Sequence, residues 1–446
     1  MITRLYLENF RAFEKLDIPF TKINCFFGPN NSGKSAIISA INVLSQTLDS
    51  SDRDVPLLLN GKFEDLGTYR DTVYNNNTNR NIKIGLELRE TSQELSDEKQ
   101  SSLRIEITYH YRKQRREIVI NGMEISSPLN KLLLKTRVSE RSNAQIVEVV
   151  SSEYRDIKIG RGSSGTIRTN HFIPLINPSL IRYFPSRGRR DFRRRRDTYF
   201  DFDFDLYEIS RLITSHLSKL EFIGPFRSRP ERTYSFSGES PSSVGASGDK
   251  CIDILASDQS RRKGKRKNIA QQVTNWLQQS EIAKRIVVFP ITDRHFEIYV
   301  NHIHTGEEVN IADAGFGISQ ILPILVAGYF IPTNSTFIIE EPEIHLHPRA
   351  QSEIGTFLYE ISQKGVQIFV ETHSEHLLLR LQRHIASGKL SPKDVNVFYV
   401  YSEEQKKNKI AKLIPIGKDG YFTEEWPHGF FPERLREAEN IAKQSL

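Results

Sequence analysis

The period of apolar positions changes several times along the chain. Between residues 81 and 126, the runs NIKIGLELRE, LRIEITYHY and REIVINGMEI alternate apolar with polar. That two-residue period predicts antiparallel strands. Helical spacing appears at Ile37, Ile38, Ile41 and Leu44, in LYEISRLITSHLSKLEFI (206–223), and in RAQSEIGTFLYEISQKG (349–365), which Gly365 stops. Two short apolar runs, INCFF (23–27) and TFII (336–339), read as buried strands. ILPILVAGYFIP (321–332) is apolar throughout but too short to span a bilayer, and reads as a core helix. VNVFYVYSEEQKKNKIAKLIPIGKDGYF (395–422) reads as a strand followed by a hairpin-like edge. No heptad pattern persists from 127 to 265, so no long coiled coil is expected there.

The strand at 23–27 runs into Gly28, and four residues later comes Gly33-Lys34-Ser35. This is the GxxxxGK[ST] spacing of a P-loop. Its glycines let backbone amides curl around phosphate oxygens, and the helix that follows presents its N-terminus to them. Lys34 is expected to neutralise the β and γ phosphates and the Ser35 hydroxyl to ligate Mg²⁺. Gly28, Asn30, Asn31, Ser32, Gly33, Lys34, Ser35 and Ala36 are therefore the candidate ATP-binding residues. The second apolar strand ends in Glu340-Glu341. Two like charges side by side are tolerated where a divalent cation sits beside them. Glu340 stands where an aspartate is usual and is the candidate for holding the Mg²⁺ water shell. Glu341 is the candidate general base for the hydrolytic water.

With these motifs in order, the chain resembles an ABC-type ATPase of the RecF/SMC/OLD branch, in a compact form without a Toprim domain. The N-terminal ITRLYLENFRAFEKLDIPF is similar to that branch's opening hairpin. ADAGFGISQILPIL (312–325) lies where the ABC signature belongs, departing from LSGGQ but keeping Gly317, Ser319 and Gln320. Pro323 is expected early in the helix they open, where its missing N–H costs little. PEIHLHP (342–348) takes the D-loop position, and FVETHSEHLL (369–378) puts His373 at the switch histidine. The resemblance implies that Ser319 and nearby amides contact the γ-phosphate held by a second subunit, and that His373 senses that phosphate. It therefore implies a homodimer or higher assembly closed by shared ATP; pairing with a different head stays open. The implied fold is an α/β ABC ATPase head, a P-loop with a mixed sheet plus an antiparallel β lobe. Residues 1–126 would form its N-terminal half, 127–284 a large insertion, and 285–446 its C-terminal half. The Q-loop has no obvious glutamine, leaving Asp65 or Asp71.

Charge adds one more feature. The chain of 446 residues has a formal net charge of +7, a modest bias toward polyanions. Arginines crowd residues 187–196, followed by aspartates alternating with aromatics to residue 205. That run is open to three readings: a solvated face, a contact with DNA or tRNA backbone through Arg193, Arg194, Arg195 and Arg196 with Phe192 and Tyr199 stacking, or a pairing of its basic and acidic halves between subunits. RRKGKRKN (261–268) adds to the second reading. FIGPFRSRPERTY (222–234) resembles a segment of compact defence-associated ATPases, and its Arg227, Arg229 and Arg232 are candidates for phosphate of nucleotide or of DNA. His345, His347, His373 and His376 have the spacing of a metal set, HxH plus HxxH, or are ordinary core and interface histidines. Cys25 and Cys251 make no disulfide framework and point to a reducing compartment. With no signal peptide at the N-terminus, a cytoplasmic protein without membrane contact is expected.

The function these features imply is an ATPase sensor or scaffold in bacterial anti-phage defence, similar to the Septu or PARIS type. It would control a separate effector, such as a nuclease, through ATP-dependent assembly. A RecF-like DNA-repair clamp and an ATP-bound scaffold that does not hydrolyse are the alternatives. An ABC transporter subunit does not fit the N-terminus or the basic insertion.

Overall fold

The computed structural model describes residues 1–89, 102–126, 133–138, 145–149, 157–159, 165–166, 168–175, 181–183, 207–427 and 443, with 237, 239, 262–266 and 403–408 left out. The arginine-rich run, most of the second basic run, and Phe430 and Phe431 of the tail lie outside the described residues. The chain divides into two units, each built from separate stretches: residues 1–20, 35–220 and 402–410 in one, residues 21–34, 221–401 and 411–446 in the other.

The first unit carries an eight-stranded antiparallel sheet. Its central strands are β1 (Ile2–Phe10), β2 (Phe13–Pro19), β3 (Ile82–Arg89), β4 (Ser102–Arg112) and β5 (Glu117–Ser126). The alternation read at 81–126 is the register observed. Ile84 faces Ile107 and Leu86 faces Ile105 across β3 and β4, all almost fully buried. Cross-strand apolar pairs of this kind stabilise a sheet by about 0.2–1 kcal/mol each. Helix α1 (Lys34–Leu48) belongs to this unit from Ser35 onward, and Ile37, Ile38 and Ile41 on it are fully buried. Residues 207–217 form the expected amphipathic helix, but it stops short of 223. Leu220–Ile223 is instead an edge strand of the second sheet with all four residues buried, Glu221 included, and a strand buried on both faces needs no helical period.

The second unit is organised around a six-stranded sheet. In spatial order its strands are Leu220–Ile223, Thr336–Glu340, Gln367–Glu371, Ile23–Phe27, Val395–Ser402 and Lys409–Leu413. Ile23–Phe27 pairs in parallel with both neighbours, and Thr336–Glu340 pairs in parallel with Gln367–Glu371. Strands covered on both faces read as continuous apolar runs, which is why INCFF and QIFVE show no alternation. The C-terminal strands form the edge, as expected for 395–422. Helix α2 (Phe316–Phe330) is buried along most of its length, as a core helix should be. Pro323, however, lies two turns into this helix. It therefore removes an interior hydrogen bond to the Ser319 carbonyl, against the expectation that its missing N–H would fall among the unpaired first-turn groups. Helix α3 (Pro348–Gln363) follows the acidic strand, and α4 (Glu375–Ala386) follows His373. Trp426 docks back onto this unit, edge-on to Phe27, Tyr399 and Phe422 at 5.9, 5.3 and 5.1 Å between centroids. No helix among the described residues is long and apolar enough to cross a membrane.

Candidate functional site

The P-loop leaves the buried strand Ile23–Phe27 at Gly28, whose φ is 143°. A Cβ there would sit 2.0 Å from the Val400 carbonyl oxygen, so the turn admits only glycine. Asn31 is left-handed at φ 61°, a conformation asparagine tolerates. Ser32 N–H closes the loop onto Pro29 O at 3.2 Å. Asn30, Asn31 and Ser35 are exposed, while Ser32, Lys34 and Ala36 are buried. Lys34 Nζ donates to the Gly28 and Pro29 carbonyls, each at 3.0 Å. It also lies 3.7 Å from Glu371 Oε1. Burial lowers its pKa, and Glu371 and then Glu341 oppose that shift. Ser32 Oγ is buried without a hydrogen-bond partner. Exposed loop residues, a shielded ammonium and an unsatisfied buried hydroxyl suit a bound phosphate.

The acidic residues arrive on the neighbouring strands. Glu340 ends Thr336–Glu340 in register with Glu371, which ends Gln367–Glu371. The chain then turns sharply. Glu341 adopts φ 45°, and its N–H donates to Glu371 O at 2.7 Å. The Glu341 charge acts on Lys34, on Arg227 and on His373. Glu343 accepts the backbone N–H of His373, and its Oε2 is sealed from solvent without a partner. Burial raises its carboxyl pKa, against the His373 amide and the Thr372 hydroxyl. Burial, and then Lys34, lower the pKa of His373, while Glu341 opposes.

Glu343 and Glu371 are site residues that motif spacing missed. Glu343 stands inside the EEPE run, and Glu371 directly precedes Thr372-His373, but nothing in a one-dimensional pattern says that Glu343 meets the His373 amide or that Glu371 meets Lys34. Among the described residues, no three His, Cys, Asp or Glu side chains are placed to hold a metal by themselves. That argues against a histidine metal cage. His347 instead caps α3, its Nδ1 accepting from Arg349 N–H at 3.3 Å. A magnesium ion bound with a nucleotide would draw on phosphate oxygens as well as on protein groups.

At the signature position the exposed end of α2 is Gly315, its N-cap, with Phe316. Ser319 and Gln320 are buried, and Ser319 Oγ donates to Phe316 O at 2.8 Å. Ser319's hydroxyl is thus engaged within its own helix. The part of this end that faces outward is the amides around Gly315–Gly317. Gly317 is required by close approach: a Cβ there would lie 2.8 Å from the His345 carbonyl oxygen of the D-loop segment. Asp65 and Asp71 both serve local turns. Asp65 accepts Gly67 N–H at 3.2 Å, and Asp71 accepts the Thr68 N–H and hydroxyl at 2.9 and 2.6 Å.

Arg227 does not fit the reading as a nucleic-acid contact. It is only 7% exposed, and its Nη2 donates to the carbonyls of Glu340 and Glu341 at 2.6 and 3.1 Å. Burial pushes this guanidinium down to about 10, still fully charged near neutrality, against the attraction of Glu343, Glu341 and Glu340. Arg232 forms a forked pair with Asp313 at 2.8 and 2.6 Å. Arg229 lies among the described residues, whereas Arg193–Arg196 do not.

Residues 390–441 match a family of proteins of unknown function (DUF3696). No curated protein matches. Among solved structures, the SMC head domain from Thermotoga maritima aligns at 10% identity over 93% of this chain and 99% of that one, with a TM-score of 0.41. An SMC head bound to the C-winged helix domain of ScpA aligns at 12% identity over 93% and 98%, with a TM-score of 0.44. An SMC head with an extended coiled coil, bound to the C-terminal domain of ScpA from Pyrococcus furiosus, aligns at 10% over 99% and 98%, with a TM-score of 0.38. Residues 23–380 match the family described as "AAA domain, putative AbiEii toxin, Type IV TA system". That span is most of the chain and runs from the P-loop strand into the helix Glu375–Ala386, so the chain belongs to this AAA family.

Proposed function

We propose that this chain binds and hydrolyses ATP, pairs with a second copy of itself across the nucleotide, and uses that assembly to control a separate effector in anti-phage defence. The observation that carries the nucleotide reading is the placement of Lys34. Its shielded ammonium is held on the P-loop's own carbonyls, beside the strand ends that supply Glu340, Glu341 and Glu371.

In this reading the loop amides and Lys34 bind the β and γ phosphates, the amide set replacing water with fixed donors. Ser35 and Glu340 are the residues that would help hold Mg²⁺. When bound, that ion supplies charge neutralisation across the phosphates. Glu341 accepts the proton of the attacking water. Lys34 and Arg227 are the cations that its charge acts on. His373, neutral because burial and Lys34 disfavour its cation, is free to hydrogen-bond the terminal phosphate or the water. The amides at the exposed end of α2, around Gly315–Gly317, are the surface offered to a nucleotide on the second copy. An effector such as a nuclease, and a nucleic-acid backbone at Arg193–Arg196 and Arg229, complete the proposal.

The test is ATP turnover and mass of the full chain, with and without ATP, together with whatever co-purifies from its native operon. Turnover with a stoichiometric second protein supports effector control. An ATP-dependent dimer whose turnover rises with DNA moves the reading to a repair clamp. Binding without turnover leaves a scaffold.

A further inference from the structure

Glu341 is the one residue of the acidic strand end whose backbone is left-handed, at φ 45°. A glutamate has no local reason to adopt that conformation, unlike glycine or asparagine. Such a conformation persists only where its surroundings over-determine it. Two contacts do so here. Glu371 O accepts the Glu341 N–H at 2.7 Å. On the other side, Arg227 Nη2 spans the Glu340 and Glu341 carbonyls at 2.6 and 3.1 Å. Arg227 reaches them from the segment just after the strand Leu220–Ile223, which neighbours Thr336–Glu340 in the sheet. Burying a guanidinium is costly, and its Nε and Nη1 are buried without partners, so core packing alone gives no reason for an arginine at this position.

We infer that Arg227 is a positioning residue for hydrolysis: it clamps the Glu340–Glu341 turn and so aims the Glu341 carboxylate at the attacking water. The inference rests on the ATPase reading with Glu341 as base. It assigns Arg227 a task separate from nucleotide affinity. A clamp on backbone carbonyls acts on the direction of one side chain, whereas Lys34 and the loop amides take the phosphates. An error of about 1 Å in placing a reacting group costs on the order of a hundredfold in rate.

The experiment compares wild type, R227M, R227K, E341Q and the R227M/E341Q double variant as full chains. It measures kcat for MgATP and the Kd of a fluorescent, non-hydrolysed ATP analogue. R227M is expected to lower kcat by about 10- to 100-fold while Kd stays within about threefold. R227K, which keeps a donor and a charge, recovers part of that loss. In the E341Q background, R227M changes the residual rate by less than about twofold, because the base it aims is already gone. Unchanged kcat in R227M, an equal loss in both backgrounds, or a Kd loss as large as the kcat loss each overturn the inference. Should thermal melting show R227M unfolded, R227K and R227K/E341Q carry the same comparison. Wild type without turnover removes the ATPase reading and this one together; wild type and R227M turning over alike remove Arg227 alone.

Discussion

The ammonium of Lys34 lies 3.7 Å from the carboxylate of Glu371, and both side chains are almost wholly shielded, at 4% and 7% exposure. A P-loop lysine is expected to face phosphate. Here it is already paired with a carboxylate from the strand beside the one that leads into its loop, so an incoming phosphate competes with Glu371 for the same cation.

Lys34→Ala is expected to abolish measurable nucleotide binding. Each charge-assisted contact contributes about 1.5–3 kcal/mol, or roughly 10- to 100-fold in affinity. The same change takes away the ammonium 3.7 Å from the buried Glu371 carboxylate, which costs stability as well. Titration of a fluorescent ATP analogue, alongside a thermal melt of Lys34→Ala and of Lys34→Ala with Glu371→Gln, separates the two effects. The double variant should regain melting temperature without regaining affinity.

Glu341→Gln keeps the shape of the side chain and removes the base. Turnover should fall by about 100- to 10,000-fold with ATP still bound, so a longer-lived ATP-bound assembly appears by size-exclusion chromatography. Normal hydrolysis by this variant would assign the base elsewhere.

His373 gives the pH dependence. Its pKa lies below the usual 6.5 because burial and Lys34 disfavour the cation. The neutral ring is therefore retained as pH falls to 6.5 and is lost only below it. Any stability linked to this shift is likewise full above pH 6.5 and declines beneath it. A kcat profile should show an acid limb under pH 6.5 that His373→Gln flattens, with turnover down by about a hundredfold at its plateau. A limb that survives the substitution belongs to the carboxylates.

Gly28→Ala tests the loop itself. The new Cβ would lie 2.0 Å from Val400 O, at a φ of 143° that side chains avoid. Overpacking and backbone strain together predict about 2–5 kcal/mol of destabilisation. Chemical denaturation would register that shift, and a loss within 0.5 kcal/mol, roughly the range of neutral surface changes, would show that the loop can yield.

Replacing Arg193, Arg194, Arg195 and Arg196 with alanine tests the polyanion reading. Each arginine that neutralises a phosphate should, once replaced, lower the slope of log affinity against log salt by about 0.9 on duplex DNA. Unchanged binding in a salt series would return the run to a solvated face.

Local chemistry is what the sequence by itself determined. The P-loop was legible because its glycines, lysine and serine sit within eight consecutive residues, where spacing and geometry are nearly the same thing. The antiparallel strands of 81–126 were legible for a similar reason, since alternation is the direct trace of a pleat with one buried face. Ile37, Ile38 and Ile41 likewise announced a helix by their period. The extent of the helix at 206–223 was not legible, because four residues, Leu220–Ile223, are too few to show whether their period is that of a helix or of a buried strand. Tertiary structure alone decided which charges meet. Glu371 reaches Lys34 because two distant strands lie side by side in parallel register, with Val370 opposite Cys25. Arg227 looked like a solvent-facing contact within FRSRPER, yet it is buried against Glu340 and Glu341, more than a hundred residues away. Ser319 looked free at a helix start and is turned inward onto Phe316. A periodic pattern reports which face of an element is buried. It carries no information on which other element covers that face, and the partner of a buried charge is set by that covering element.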